Sequence, residues 1–292
     1  MNILSEYYQD IINQKTENIK NSIHCSFEFF PPKNITLEEN LWSVIRKIVK
    51  LKPKFFSVTY GANNGECQKT YNIVKKIREK TGIITAAHLT CVNSTPGKLK
   101  SIAEKYWNNG IKNIIALRGD AIKKNYKHTM YASDLVILLK KIADFDISVA
   151  AYPELHPESQ NSKEDIINLK KKIDLGANRA ITQFFFNIDF YLKFRDNCIK
   201  NGITVEIIPG ILPIYNFIQL QRFLKMTNVQ IPKWMFEIFN GLENDIFTQK
   251  IIGASIAIDM VKKLSSEGIK NFHFYTLNQS DITYSICRIL GL

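Results

Sequence analysis

Along the 292 residues, β-type runs recur at intervals of about thirty residues, each followed by a Lys/Glu-rich segment with helical apolar spacing. Strands separated by helices pair in parallel and must be covered on the outside, so the alternation implies βα units. The runs are His24 to Phe30, Phe55 to Thr59, Ile83 to Cys91, Asn113 to Leu117, Ile147 to Tyr152, Ala180 to Phe185, Thr204 to Ile208 and Phe272 to Thr276. Helical patterns cover Leu37 to Leu51, Cys67 to Lys80, Pro96 to Asn108, Ala132 to Ala143, Lys163 to Leu175, Ile188 to Lys200 and Asp281 to Leu290, with a further helix before them at about Leu4 to Lys20. Between Tyr215 and Glu267 lie about fifty residues, room for two or three helices, and Asn216 to Met226 and Phe247 to Leu264 carry the spacing. The expected fold is α/β: one (β/α)8 TIM barrel over residues 1–292, with an extra N-terminal helix and extra helices between strands seven and eight. No G-x-G-x-x-G follows a strand and no G-x-x-x-x-G-K-[ST] occurs, which argues against a Rossmann or P-loop nucleotide site.

Composition narrows the partners. Hydrophobic residues make up 45% and charged residues 23%, an ordinary globular mixture. The formal charge of +12 could attract nucleic acid, yet the lysines are scattered over helical faces such as Tyr71 to Lys80 and form no basic stripe. Five cysteines, at 25, 67, 91, 198 and 287, form no C-x-x-C pair, which favours free thiols in a reducing compartment over disulfides or a zinc site. Residues 1–21 lack the apolar core of a signal peptide, and no apolar run approaches the roughly 18 residues that span a bilayer. The expectation is a soluble, cytoplasmic protein with no nucleic-acid, membrane or metal partner.

The segment Ser26-Phe27-Glu28-Phe29-Phe30-Pro31-Pro32-Lys33 places a carboxylate among aromatics and then halts the strand. Alternation sends Ser26, Glu28 and Phe30 to one face and Phe27 and Phe29 to the other. If the phenylalanines pack under helices, Glu28 faces inward. It is then either a buried acid paired with an Arg or Lys, or a general acid whose pKa desolvation raises.

In a barrel the active face lies at the C-terminal strand ends, and these ends are unusually polar. They read Thr59-Tyr60-Gly61-Ala62-Asn63-Asn64-Gly65, His88-Leu89-Thr90-Cys91, Leu117-Arg118-Gly119-Asp120, Tyr152-Pro153-Glu154-Leu155-His156-Pro157-Glu158-Ser159 and Thr182-Gln183-Phe184-Phe185-Phe186, then Pro209-Gly210-Ile211-Leu212-Pro213 and Tyr275-Thr276-Leu277-Asn278. The mixture suits a flat, polar, anionic ligand. Arg118 can fork a phosphate and Lys172 can add a point charge, while Tyr60, Tyr131 and Tyr152 can flank rings.

The segments SFEFFPPK, VTYGANNG, AHLTCV, NIIALRGD, AAYPELHPES, ITQFFFN and IIPGILPI, in this order and spacing, resemble the methylenetetrahydrofolate reductase family from about Tyr7 to Leu290. The resemblance is to the compact bacterial form, an FAD-dependent (β/α)8 barrel and homo-oligomer without a regulatory domain. It implies that Glu28 is the general acid and that Thr59, Tyr60, Ala62, His88, Arg118, Gly119 and Asp120 line FAD. Tyr131, Ala132, Tyr152, His156, Ser159, Asp165, Asn168 and Lys172 would complete the FAD contacts, and Gln183, Gln219 and Phe223 would take folate or nicotinamide. The implied reaction is a ping-pong hydride relay from NADH through FAD to 5,10-methylenetetrahydrofolate, supplying methyl groups for methionine synthesis. Glu28 would protonate the departing N10, and Asp120, catalytic and substrate-binding at once, would accept from the pterin and stabilise the iminium charge.

One departure falls at Thr276-Leu277-Asn278-Gln279, where the family commonly has arginine in the last place, so the substrate residue Gln279 is a neutral amide in place of a cation. The competing class is a non-redox TIM-barrel enzyme acting on a phosphorylated small molecule; an aldolase of that kind would need a strand-end lysine, and none of the eight ends has one. A non-catalytic flavin- or folate-binding protein would not need Glu28.

Overall fold

Eight parallel strands close on themselves in chain order: β1 (His24–Phe29), β2 (Phe56–Val58), β3 (Thr85–Thr90), β4 (Asn113–Leu117), β5 (Asp146–Ala151), β6 (Arg179–Phe184), β7 (Glu206–Ile211) and β8 (Asn271–Tyr275). The computed structural model describes residues 23–60, 66–119, 130–225 and 227–292. The expected N-terminal helix at Leu4 to Lys20 lies outside them.

Ten α-helices surround the strands among the described residues: α1 (Ile35–Ile48), α2 (Glu66–Thr81), α3 (Pro96–Asn108), α4 (Ala132–Ile142), α5 (Ser162–Asp174), α6 (Ile188–Lys200), α7 (Phe217–Leu224), α8 (Lys233–Phe239), α9 (Ile246–Ser266) and α10 (Asp281–Ile289). Side-chain caps start many of them: Asn34, Thr95, Asn161, Asn187, Asn216 and Asp245 each accept a first-turn N–H. The long region before β8 holds three helices. The short α8 escaped the sequence reading because seven residues show too little periodicity to stand out.

Two boundaries moved for physical reasons. The helix after strand one was expected to run from Leu37 to Leu51, but α1 ends at Ile48 and tightens into a 3₁₀ turn over Val49–Leu51 before Lys52 turns left-handed at φ 51°. Strand seven was expected to stop at Ile208, before the proline, and to begin at Thr204. It begins instead at Glu206 and runs through Pro209-Gly210 to Ile211, with the β6–β7 register shifted between Ile181 and Phe184. The Gly210 N–H finds the Thr182 hydroxyl oxygen at 2.9 Å, so the strand persists past a residue that cannot donate.

Alternation sorts the side chains. Phe27, Phe29, Phe56, Phe272 and Phe274 point outward under the helices, all fully buried, with Phe27 stacked on Phe274 at 5.7 Å and Phe29 edge-on to Phe56 at 5.2 Å. Inside the barrel, Ala86, Ile115, Ile181 and Ile208 form an apolar layer. Toward β1, β2 and β8 the interior is polar, with Ser26, Ser57 and His273 buried. At the N-terminal mouth a cavity of about 250 Å³ is lined by charged groups that largely satisfy one another. There Arg179 pairs with Asp146 at 2.7 Å, and Asn113 donates to Asp146.

Gly210 lets one interior side chain pass over β7. Tyr275 reaches over it to donate to the Thr182 carbonyl at 2.6 Å. A Cβ at Gly210 would meet that carbonyl oxygen at 2.3 Å and the Tyr275 ring at 2.6 Å. Gly210→Ala should therefore cost about 3 kcal/mol, the upper end for overpacking against backbone, read as a lower urea midpoint with unchanged slope. An unchanged midpoint would mean that β7 can move aside.

Candidate active site

Glu28 sits near the end of β1 with its side chain 12% exposed, facing inward as its alternation requires. Its partners are histidines, not the Arg or Lys that was one expectation. His88 Nε2, from β3, lies 3.3 Å from Glu28 Oε2, and His273 Nε2, from β8, lies 3.9 Å from it. The 3.3 Å contact is ion-pair distance without hydrogen-bond alignment, leaving His88 Nε2 buried with no aligned acceptor among the described residues. Behind Glu28, His273 Nδ1 is 2.7 Å from Ser26 Oγ, which also reaches the Phe272 carbonyl at 3.3 Å. When the Ser26 hydroxyl donates to Nδ1, the ring proton sits on Nε2, which then faces the Glu28 carboxylate as a donor, the tautomer that agrees with an ionised Glu28.

The expectation of a raised Glu28 pKa is corrected by this geometry. Burial does push the carboxyl up, but His273 and His88 together outweigh it and hold the group at about 2. Burial lowers the His273 pKa, with Glu28 pulling the other way, and burial raises the Tyr275 phenol with help from the Glu28 charge. His273 was not among the sequence candidates, and Ser26 and Tyr275 were placed on the inward face and at a polar strand end without a role. A signal existed: Phe272-His273-Phe274-Tyr275 puts His273 and Tyr275 in one phase of β8, and the register sets Ser26 opposite His273 and Glu28 opposite Tyr275.

A cationic group forms at the ends of β4 and β5. Arg118 grips Glu158 with both terminal nitrogens, Nη2 to Oε1 at 2.7 Å and Nη1 to Oε2. Tyr152 and His156 stack edge to face at 4.5 Å. Asp165 on α5 holds the loop by accepting from the His156 N–H at 2.9 Å and from the Ser159 hydroxyl. Lys172, two turns further along α5, donates to the Ala150 carbonyl at 2.7 Å and has no carboxylate within ion-pair distance among the described residues. Burial lowers its pKa to about 8, against the pull of Asp165. His156 is lowered by burial first and then by Arg118, with Lys172 contributing. A buried ammonium with only a carbonyl as its hydrogen-bond partner is an arrangement that an anionic ligand would relieve.

The other expected residues take up stated places. The Thr59 carbonyl accepts from the Thr70 hydroxyl at 2.9 Å, and half-buried Tyr60 has its phenol raised by burial and by Cys67. Gly119 adopts φ +84°, where a Cβ would also strike Val92 at 2.7 Å, so only glycine fits. Tyr131 caps α4 by a reciprocal pairing with Asp134, and Ala132 is the first helical residue. Asn168 is exposed on α5, between Asp165 and Lys172. Gln183 turns back to accept the Phe184 N–H at 3.1 Å. Gln219 and Phe223 share α7, and the Gln279 carbonyl accepts from the Tyr215 hydroxyl at 3.0 Å. Ala62 and Asp120 lie outside the described residues. Asn278, also missed, bonds both the N–H and the carbonyl of Phe30 and so joins the ends of β1 and β8. Among the described residues no cluster of ligating side chains could hold a metal, and no helix is long and apolar enough to cross a membrane.

Comparison with known proteins agrees with this architecture. A sequence model of the methylenetetrahydrofolate reductase family matches residues 11–291. The chain is 75% identical over 288 residues to the 5,10-methylenetetrahydrofolate reductase of Buchnera aphidicola subsp. Acyrthosiphon pisum, covering 99% of both. It is 56% identical over 284 residues to the Escherichia coli K12 protein of the same name, covering 97% of this chain and 96% of that one. Among solved structures, a Clostridium thermocellum protein described as binding two copies of 5-methyl-5,6,7,8-tetrahydrofolic acid superposes with a TM-score of 0.64 at 19% identity, covering 96% of this chain and 98% of that one. The last shares the fold; the sequence matches go further, and by them the chain belongs to the methylenetetrahydrofolate reductase family.

Proposed function

We propose that the protein reduces 5,10-methylenetetrahydrofolate to 5-methyltetrahydrofolate at the C-terminal mouth of the barrel, taking hydride from NADH in a ping-pong sequence with FAD as resident cofactor. The product would supply methyl groups for methionine synthesis, and the protein would act in the cytoplasm as a homo-oligomer. The observation that carries the reading is the Glu28 carboxylate at that mouth, held between His88 and His273 in a chain of this family.

The donor set suits FAD. Arg118 and Lys172 offer two cations for a diphosphate, and Tyr152 and His156 offer ring surfaces beside them. Thr59, Tyr60, Ala62, His88, Gly119, Asp120, Tyr131, Ala132, Ser159, Asp165 and Asn168 would complete the cradle. When bound, the flavin supplies hydride exchange between a nicotinamide and a folate.

The chain's own part is proton delivery and orientation. For the imidazolidine ring of the folate to open, N10 must leave with the electron pair of its bond to the one-carbon unit and take up a proton. Glu28 is placed to deliver it. Ionised in the resting protein, Glu28 becomes easier to protonate when substrate covers its remaining exposed surface, because desolvation favours the neutral acid. The His273–Ser26 pair behind it can hold the proton and pass it forward. Gln183 offers an acceptor and a donor to an amide-like ring edge, Phe223 an aromatic face, Gln219 a further amide, and Gln279 a neutral amide at the rim. Asp120 would accept from the pterin. A non-redox enzyme acting on a phosphorylated small molecule would also use Arg118 and Lys172, but it gives Glu28 and its histidines no task.

Two outcomes follow. Glu28→Gln should leave NADH oxidation by menadione within about twofold of wild type and lower folate reduction at least about 100-fold, since only folate reduction needs the acid. Equal losses in both assays would reject Glu28 as the acid. Lys172→Met should weaken FAD binding by about 10- to 100-fold, the worth of a charge-assisted hydrogen bond, while leaving the apoprotein as stable as wild type or more so, because a desolvated charge is removed. Undiminished FAD affinity by fluorescence titration would remove Lys172 from the cofactor site.

A further inference from the structure

Helix α7, which carries Gln219 and Phe223, is too short to hold its own position. It has eight residues and fully buries only Phe217, stacked on Phe239 at 4.4 Å, and Leu220, with Phe223 and Leu224 partly buried against the core, and an isolated helix of that length is not stable in water. Its N-terminal end is anchored by a side chain from α9: Gln249 Oε1 accepts the Phe217 N–H at 2.7 Å, and Gln249 Nε2 donates to the Leu242 carbonyl at 2.6 Å. Beyond its C-terminal end the chain is caught again. The Gln230 N–H donates to Glu154 Oε2 at 2.8 Å, a contact between residues 76 apart in sequence.

Glu154 stands in the loop after β5, two residues from Tyr152 and two from His156. It is 9% exposed, forms no ion pair among the described residues, and leaves Oε1 buried without a hydrogen-bond partner. Burial pushes its carboxyl up to about 7, with the Gln230 N–H pulling it down. A half-satisfied buried carboxyl is a poor stabiliser. What the side chain does accomplish is geometric: it joins the loop proposed to face the flavin to the chain that follows the proposed substrate helix.

We infer that Glu154 is a positioning residue for the substrate-binding helix, fixing Gln219 and Phe223 through the Gln230 backbone; the inference rests on the function proposed above. The side chain is a clasp between the two halves of the site: Gln249 holds the first turn of α7, and Glu154 holds the chain six residues beyond its last turn.

The test compares Glu154→Ala with Glu154→Gln in the full-length, FAD-loaded protein. Hydrogen exchange is read by mass spectrometry over residues 227–232, with steady-state kinetics alongside. Glu154→Ala should speed exchange in that segment by about tenfold or more while the strands exchange as in wild type. It should raise the KM values for methylenetetrahydrofolate and NADH by about fivefold or more, with kcat within about twofold and FAD content unchanged. Glu154→Gln keeps an acceptor oxygen for Gln230 and should restore both properties to near wild type. Wild-type exchange or wild-type KM values in Glu154→Ala would overturn the clasp. So would faster exchange throughout the barrel in both variants, which would mark Glu154 as merely structural. Wild-type protein unable to reduce methylenetetrahydrofolate would instead sink the proposed function, and the local exchange result would still decide whether Glu154 holds the segment.

Discussion

The pairing of β1 with β8 is the constraint on which the rest depends. It closes the barrel, and its register sets Ser26 against His273 and Glu28 against Tyr275. Because side chains alternate along a strand, the same register sends Phe27, Phe29, Phe272 and Phe274 outward into the helix layer. A slip of one residue would bury the polar row among the helices and turn the phenylalanines into the lumen. Asn278 reinforces the junction by bonding the Phe30 backbone just above it. Packing outside the barrel and polarity inside it therefore follow from one set of strand pairings.

The interior then separates three buried ionisable groups by their surroundings. Glu28, with two histidines facing it, is held ionised far below the ordinary carboxyl range. Glu154, with a single backbone N–H, is pushed the other way. Lys172, given only a carbonyl, loses much of its hold on its proton. Pairs of groups pushed apart in this manner are what acid–base work and anion binding draw on. Glu28 and Glu154 sit at or just beyond a strand's C-terminal end, and the Lys172 ammonium reaches from α5 to the end of β5, the face on which barrel enzymes gather their chemistry.

The helices between β7 and β8 relate differently to the barrel. The longest, α9, packs on the chain leaving β7 so closely that a Cβ at Gly253 would meet the Ile214 carbonyl oxygen at 2.2 Å. The short α7 is seated by Phe217 and Leu220, with side-chain hydrogen bonds at its first turn from Gln249 and six residues beyond its last turn from Glu154. A long, closely packed helix supporting a short one is the arrangement that lets the short one adjust while the barrel stays fixed.

How much of this was legible in the chain depends on how far each feature reaches. The βα repeat, the closed eight-stranded class, the inward phase of Glu28 and the polar strand ends are local patterns, written in residues two to four apart, and sequence alone determined them. The short α8 and the extension of β7 through Pro209 were not legible, the first for want of periodicity and the second because the Thr182 hydroxyl rescues the strand from across the sheet. The partners of Glu28 lie beyond local reach as well. Ser26 and His273 are 247 residues apart, and only barrel closure brings them together behind the acid, reversing the pKa direction that burial among aromatics had implied. Glu154 and Gln230, 76 residues apart, likewise meet only in space, across the loops that follow β5 and β7. Sequence determined which groups face the mouth; the tertiary structure decided which of them touch, because the charge state of a buried group is set by its neighbours in space and not along the chain.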